Sequence, residues 1–185
     1  MTLGEDQGRT ALLIDGVIQS VAVSTQPITV GYWPHMLPEV RPRNALLLGL
    51  GGGTIAHLLV ERFGPVPMTA VEKDPAVIAL AYRVFGVPSG TRVVEADAFA
   101  FVAEAVGPYD YIAEDLFENN AVPSRVFGRP FLRQLRELLS PGGLLALNYF
   151  KDRRSAAHQQ RLESVFPRVT IIESDKNLVA HCRAR

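Results

Sequence analysis

Glycines and carboxylates collect in this chain where apolar runs end. The run ALLLGL carries Gly49 and leads into Gly51, Gly52 and Gly53; TAVE closes on Glu72, TRVVEAD on Asp97, and YDYIAED on Asp115, with Glu118 just beyond. Glycines offer no side-chain chemistry, but they let a ligand approach the backbone closely. A carboxylate beside them can accept hydrogen bonds from ribose hydroxyls, hold a cation or take a proton. Four successive strand ends supplying glycine or carboxylate say more than one G-x-G, which after a strand is often only a turn. Each piece also has a plain structural reading. The glycines can serve close strand-to-helix packing, Glu72 can be a solvated acid or part of the helix cap in EKDP, and Asp97 can be an ordinary N-cap. Asp115 is read as following the apolar YIA and sitting beside Glu114 and Glu118, clustering negative charge in a loop.

Phosphate, dinucleotide and nucleoside sites can all begin with a strand, a glycine turn and a helix. A dinucleotide fingerprint wants a third glycine three residues after Gly51, where this chain has Thr54. Pyrophosphate also favours a basic neighbour, and this rim is acidic. Glu72, about 20 residues past Gly51, suits a ribose. The pattern favours a cationic adenosyl ligand, adenosylmethionine or a relative, over NAD.

The elements that must place these residues alternate from Asn44 onward. ALLLGL reads as a strand covered on both faces of a parallel sheet. TIAHLLVERF is a helix with Ile55, Leu58 and Leu59 on one stripe, and PMTAVE is a second strand. Asp74 caps the next helix with Pro75 at its first turn, and Val77, Leu80, Ala81 and Val84 form the inner stripe. TRVVEAD, a helix through Phe99, Phe101 and Val102, and YDYIAED follow. The helix FLRQLRELLS is expected to stop at Pro141-Gly142-Gly143, before the strand LLALNYF. The helix SAAHQQRLESVF then leads to RVTIIES and NLVAHCRA. Their two-residue link, Asp175-Lys176, is too short for a parallel crossover, so they pair antiparallel. The expected fold is α/β, a Rossmann-like, doubly wound, mainly parallel sheet with a C-terminal antiparallel hairpin. Residues 1–43 differ: TALLIDGVIQSVAV reads as a β-hairpin turning at Asp15-Gly16, followed by a proline-rich loop with one short helix. This stretch is read as a flap on the catalytic unit 44–185.

Composition bounds the function. The chain has 185 residues, 48% of them apolar, and Lys plus Arg equals Asp plus Glu at 19 each, so no net charge draws it to nucleic acid or anionic membrane. No apolar run approaches a bilayer span, and the start MTLGEDQGRT is unlike a signal peptide. Cys182 reads as a packed thiol, and the four scattered histidines lack metal-site spacing. Arg125, Arg129, Arg133 and Arg136 read as a solvated helix face. A cytoplasmic protein without metal is expected.

The blocks LLIDGVIQS, LLLGLGGGT, VEKDPAVI, VVEADAFAFV, YDYIAEDLF and LSPGGLLALNYF stand in the order seen in the spermidine synthase family, which the chain resembles from about Ala11 to Ala180. The core blocks are shared with class I adenosylmethionine-dependent methyltransferases in general; DGVIQ and the aspartate of the fourth core strand point to the polyamine aminopropyltransferases. The resemblance implies a homodimer that binds adenosylmethionine or its decarboxylated form and uses an amine acceptor such as a polyamine. It implies that Gly49, Gly51, Gly52 and Gly53 approach the nucleoside and its tail, Glu72 the ribose, Asp97 and Ala98 the adenine edge, and Gln19 the sulfonium. Asp115 stands where the family has its catalytic aspartate, and Glu118 where it commonly has a second. Tyr32 is the counterpart of an acceptor-site tyrosine. Tyr32, Trp33, Phe117 and Tyr149 are aromatics that can line a cationic ligand or simply pack. The chain departs from the family at Gly52, where an aspartate inside the glycine turn usually helps to hold the aminopropyl amine, and in the loop DLFENNAVP. These departures favour small-molecule methyl transfer; DGVIQ and Asp115 favour aminopropyl transfer. A non-catalytic nucleoside-binding relative is the third reading.

Overall fold

The computed structural model of the chain describes residues 1–23, 28, 31–118 and 121–184. Residues 24–27, 29 and 30 of the proline-rich stretch and 119–120 of the loop after the fourth core strand lie outside them. The core elements run β4 (Ala45–Leu48), α1 (Thr54–Phe63), β5 (Met68–Glu72), α2 (Pro75–Leu80), β6 (Thr91–Glu95), α3 (Ala98–Glu104), β7 (Tyr109–Glu114), α4 (Arg129–Leu138), β8 (Leu139–Phe150), α5 (Ser155–Glu163), β9 (Arg168–Ser174) and β10 (Asn177–Arg183). Seven strands form one sheet in the order β6-β5-β4-β7-β8-β10-β9. The first five pair in parallel, and β10 is antiparallel to both β8 and β9. This is the doubly wound sheet with the terminal hairpin that the alternation predicts.

Burial on both faces explains why the central strands read as unbroken apolar runs. No residue of Ala45–Leu48 exceeds 1% exposure. Ala45 and Leu47 join one core with Ile55, Leu58 and Leu59 of α1, while Leu46 and Leu48 join the other with Val102 of α3 and Leu132 and Leu135 of α4. Cys182 is a packed, fully buried thiol in that second core. Among the described residues no helix is long and apolar enough to cross a membrane.

Three local expectations need correction. The predicted hairpin turning at Asp15-Gly16 is present as β2 (Arg9–Ile14) and β3 (Val17–Val21), but a third strand, β1 (Thr2–Asp6), joins it in an antiparallel sheet. β1 is exposed along most of its length, so no apolar alternation announces it, and it turns at Gln7-Gly8, both at positive φ. Pro141-Gly142-Gly143 does not separate helix from strand. α4 already ends at Leu138, and the three residues form an irregularity inside β8, opposite Tyr109 and Tyr111 of β7, with Gly142 at φ +80. After α2 the chain enters a π-helical turn over Ala81–Phe85. The wider turn shifts the inward position by one residue, so Phe85 is buried at 9% exposure while Val84, expected inside, is 40% exposed.

The N-terminal sheet is stapled to the core by two hydroxyls. Thr54 Oγ1, in the first turn of α1, accepts from Val21 N at 3.0 Å and donates to Val21 O at 2.9 Å. Ser20 Oγ accepts from Gly52 N at 2.7 Å and donates to Gln19 O at 2.7 Å. A polar pair inside an apolar contact lands only when both partners are satisfied, and these are.

Where β4 ends, the backbone comes closest to a neighbouring strand. Gly49 has φ +91, and a Cβ there would lie 2.5 Å from the Asp115 carbonyl oxygen. Gly86 also has positive φ, yet a Cβ on it would meet nothing within 4 Å. Gly86→Ala should therefore cost only the left-handed penalty of about 1 kcal/mol, whereas Gly49→Ala should cost clearly more, above about 2 kcal/mol. Urea unfolding of the two variants checks this; equal losses would show that β4 and β7 are not held at fixed separation.

Candidate active site

The order of the sheet reverses between β4 and β7: the chain winds outward through β5 and β6, then crosses back to β7. Ligands of open α/β sheets bind in the crevice at such a reversal, beyond the carboxyl ends of the strands. A cavity of about 380 Å³ opens there. It is lined by Gln19 from the N-terminal sheet, Gly49 and Gly51 after β4, Glu72, Asp97 and Ala98 after β5 and β6, and Asp115, Phe117 and Glu118 after β7. The structure thus brings the separate strand-end residues to one place. Gly52 and Gly53 are not among the lining residues: Gly52 is turned against Ser20, and Gly53, at φ +85, is the N-cap of α1.

Asp115 leaves the end of β7 half-buried, with a donor on each oxygen. Tyr32 Oη donates to Oδ2 at 3.0 Å, and Asn148 Nδ2 donates to Oδ1 at 2.8 Å. Asn148, fully buried in β8, is oriented in turn by Asn177 Nδ2 on its Oδ1 at 2.9 Å. Burial pushes the Asp115 carboxyl up to about 6, and the two donors hold it from rising further. The Tyr32 hydroxyl is pushed up by burial and by Asp115, so it stays a donor.

Glu114 does not belong to a charged loop. It is the last residue of β7, and strand alternation turns it to the opposite face from Asp115. It is 0% exposed; Oε1 accepts from Leu116 N at 3.3 Å, and Oε2 has no partner among the described residues. Burial, and then Asp115, pushes this carboxyl well above its usual range. Glu114 thus lies in the core, and Asp115 is the acid that faces the cavity from the end of β7.

Glu72 has work before any ligand arrives. Its Oε2 accepts from Leu50 N and Gly51 N at 3.2 and 3.3 Å, and its Oε1 from Lys73 N and Asp74 N at 2.9 and 3.1 Å. The long pair to the glycine turn is the weaker one and the one a ribose hydroxyl would compete with. Asp97 caps α3 through Ala100 N at 2.9 Å and also lines the cavity. Of the aromatics, Phe117 lines the cavity; Tyr32 reaches it through Asp115 with Trp33 packed behind, ring centroids 4.9 Å apart. Tyr149 points the other way, into the second core against Phe127 and His158. Arg125 is not on the α4 face. It sits in a short 3₁₀ turn, lines the cavity and lies 4.1 Å over the Phe99 ring.

The profile of the spermine/spermidine synthase domain matches residues 17–169. The chain belongs to the spermine/spermidine synthase family. It is 35% identical over 129 residues to the polyamine aminopropyltransferase of Vibrio vulnificus, covering 67% of this chain and 43% of that protein, so the chain spans under half of that relative's length. A probable spermidine synthase from Corynebacterium glutamicum shares the fold at a TM-score of 0.81 and 20% identity, over 99% of this chain and 76% of the other. Human methyltransferase-like protein 13 in complex with SAH matches at a TM-score of 0.70 and 26% identity, over 80% of this chain and 74% of the other.

Against this family background, two residues escaped sequence reading. Asn148 is the lone polar residue in the apolar run LLALNYF, and Ser20 stands between DGVIQ and VAV. Their partners, Asp115 and Gly52, lie far away in the chain, so only a polar residue inside an apolar strand signals them. Position 52 is closely packed: a Cβ there would lie 2.9 Å from Ser20 Cβ and 3.0 Å from the Phe85 ring, so a side chain at this position would have to displace them.

The sign of the Asp115 shift gives a stability test. Its folded carboxyl binds the proton more tightly than the unfolded chain does, so folding takes up a proton between about pH 4 and 6. The stability it contributes is present below about pH 4 and lost as pH rises through 6, by up to about 3 kcal/mol. Asp115→Asn removes that loss, because the Tyr32 hydroxyl can rotate to accept from the new amide. The variant should melt at or above the parent at pH 7.5, and the gap should shrink towards pH 4. A variant less stable than the parent at pH 7.5 would contradict the assignment.

Proposed function

We propose that this spermine/spermidine synthase family member is a transferase that binds an adenosyl sulfonium, adenosylmethionine or its decarboxylated form, and moves an aminopropyl group to an amine acceptor. The observation that carries the reading is Asp115, held between Tyr32 and Asn148 at the sheet reversal, facing a cavity whose rim also has Glu72, Asp97 and Glu118.

The donor set fits such a ligand. Its acids suit a cationic nucleoside and repel pyrophosphate, Glu72 stands where ribose hydroxyls would bind, and Ala98 with Asp97 offers an apolar wall beside an acceptor for an adenine amine. When bound, the sulfonium supplies an electrophilic carbon with a thioether leaving group. The chain's own residues bind and orient. Alignment of two reactants in one cavity can itself supply roughly 7–11 kcal/mol. Asp115 attracts the acceptor's ammonium and takes a proton as the nitrogen gains its new bond. A carboxyl lifted towards 6 is a better base than an ordinary aspartate and is still ionised at pH 7. Tyr32 and Asn148 keep its oxygens aimed.

The second reading, methyl transfer to a small amine, is favoured by one observation: the position of the family's aminopropyl-holding aspartate is Gly52, closed by Ser20 and Phe85. Both readings use Asp115 in the same way.

Calorimetric titration with adenosylmethionine, its decarboxylated form, methylthioadenosine and NAD separates them, with NAD expected weakest. Glu72→Ala should weaken adenosyl binding by roughly 1.5–3 kcal/mol, measured well below its own melting point because the glycine turn also loses its clamp. Unchanged affinity would place the riboside elsewhere. In Asp115→Asn, nucleoside affinity should hold while turnover falls by about two to four orders of magnitude and partly recovers at high pH. Parent kcat/KM should lose activity as pH falls through about 6, the limb that the variant lacks. Parent-like turnover in Asp115→Asn would remove it as the base.

A further inference from the structure

Two tyrosine hydroxyls cross between β7 and the short 3₁₀ turn Trp33–Met36. Tyr32, the N-cap of the turn, donates from Oη to Asp115 Oδ2 at 3.0 Å. Tyr111, inside β7, donates from Oη to Met36 O at 2.5 Å, at the other end of the turn. Strand alternation puts Tyr111 and Asp115 on one face. The turn between the two contacts is stiff: His35 N donates to Tyr32 O at 2.9 Å, and Pro34 fixes its own φ. Trp33 and Met36 are buried with Tyr111 in the core on the α1 side of the sheet. From β10, His181 Nε2 donates to His35 O at 2.7 Å.

Tyr111 is 0% exposed and is not among the residues that line the cavity. Burial, and then Asp115, holds its pKa far above the usual value, so the hydroxyl keeps its proton. The plain account of this contact is a buried hydroxyl satisfying a buried carbonyl. Its placement adds something. A hydrogen bond weakens steeply as its angle and distance drift, and the ring of Tyr32 is carried by a turn whose other end Tyr111 grips. The strand that delivers the carboxylate thereby also fixes the donor that serves it.

We propose that Tyr111 is a positioning residue for the transfer reaction: by anchoring Met36 O it holds the 3₁₀ turn in place on β7 and so keeps Tyr32 on Asp115. The proposal rests on the reading of Asp115 as the base. Tyr111 touches no reactant and acts through the turn. Without the anchor the turn shifts on β7, and the Tyr32 bond is made for less of the time. The ionised carboxylate then loses part of its stabilisation, and Asp115 binds its proton more tightly. The other groups that set this proton affinity stay as they are. Glu114 shares β7, β8 presents the neutral Asn148, and Glu72, Asp97 and Glu118 stand across the cavity with Lys73 and Arg125. Replacing Tyr111 by Phe exchanges one neutral ring for another and alters none of these charges.

The test is an NMR titration of the Asp115 carboxyl carbon in the ligand-free, aspartate-labelled chain, with Asp115→Asn identifying the resonance. Tyr32→Phe should raise the Asp115 midpoint by roughly one pH unit, the scale of one hydrogen bond to a charged group. Tyr111→Phe should raise it by roughly 0.3–0.7 pH unit, a two- to fivefold gain in proton affinity. In the Tyr32→Phe background, Tyr111→Phe should move the midpoint no further, because Tyr111 acts through Tyr32. Pro34→Ala leaves both hydroxyls in place and loosens the turn between them. It should give the same rise with the same dependence on Tyr32, and it decides the matter if Tyr111→Phe does not fold. A parent-like midpoint in a Tyr111→Phe chain that merely melts lower would leave the hydroxyl a structural one and overturn the proposal. So would a rise that persists undiminished in the Tyr32→Phe background. The carboxyl titration needs no acceptor and no turnover, so its failure is told apart from a failure of Asp115 as the base, which parent-like turnover in Asp115→Asn would show.

Discussion

The close contact between the carboxyl ends of β4 and β7 is the constraint on which the rest depends. Asp115 N donates to Leu48 O at 2.9 Å, Gly49 N donates to Val71 O at 2.9 Å, and a Cβ on residue 49 would strike the Asp115 carbonyl. Those bonds hold three strand ends in one plane before any side chain is considered. Because β5 lies on one side of β4 and β7 on the other, the loops after them diverge, and the space between them becomes the cavity. The glycine turn then has to bend away without side chains. Glu72 clamps it from the β5 side and Ser20 from the N-terminal sheet.

On that frame the electrostatics follow from which carboxylates are buried, and how. Glu114 and Asp115 are neighbours in sequence but face opposite sides of the sheet. Glu114 enters the core, where burial pushes its pKa well up; Asp115 reaches the cavity with two donors and a raised pKa. One strand thus separates a core acid from a cavity acid by the period of two alone. Lys73 and Arg125 add positive charge to the same lining, which carboxylates still dominate.

Much of this was legible in the sequence, because strand and helix periods and strand-end residues are local signals. The continuous apolar run of β4, the Asp74-Pro75 cap of α2 and the short Asp175-Lys176 link each dictate their outcome within a few residues. What stayed hidden depends on partners distant in the chain. Asn148 matters only because β8 lies beside β7, and Ser20 only because β3 lies over the glycine turn. β1 lacks an apolar face, and the π-helical turn that brings in Phe85 has no sequence signature comparable to a glycine or proline. The close packing of Gly52 against Ser20 and Phe85 is likewise a property of distant partners that its own stretch of sequence does not announce.

The central claim is that the crevice between β4 and β7 receives an adenosyl group with its sulfur side towards Asp115. A crystal structure of the chain with methylthioadenosine tests it most directly. The account predicts ribose hydroxyls within hydrogen-bond distance of Glu72, the adenine against Ala98, and the thioether sulfur on the Asp115 side of the cavity. A nucleoside bound outside this cavity, or inside it with the sulfur turned away from Asp115, would contradict it.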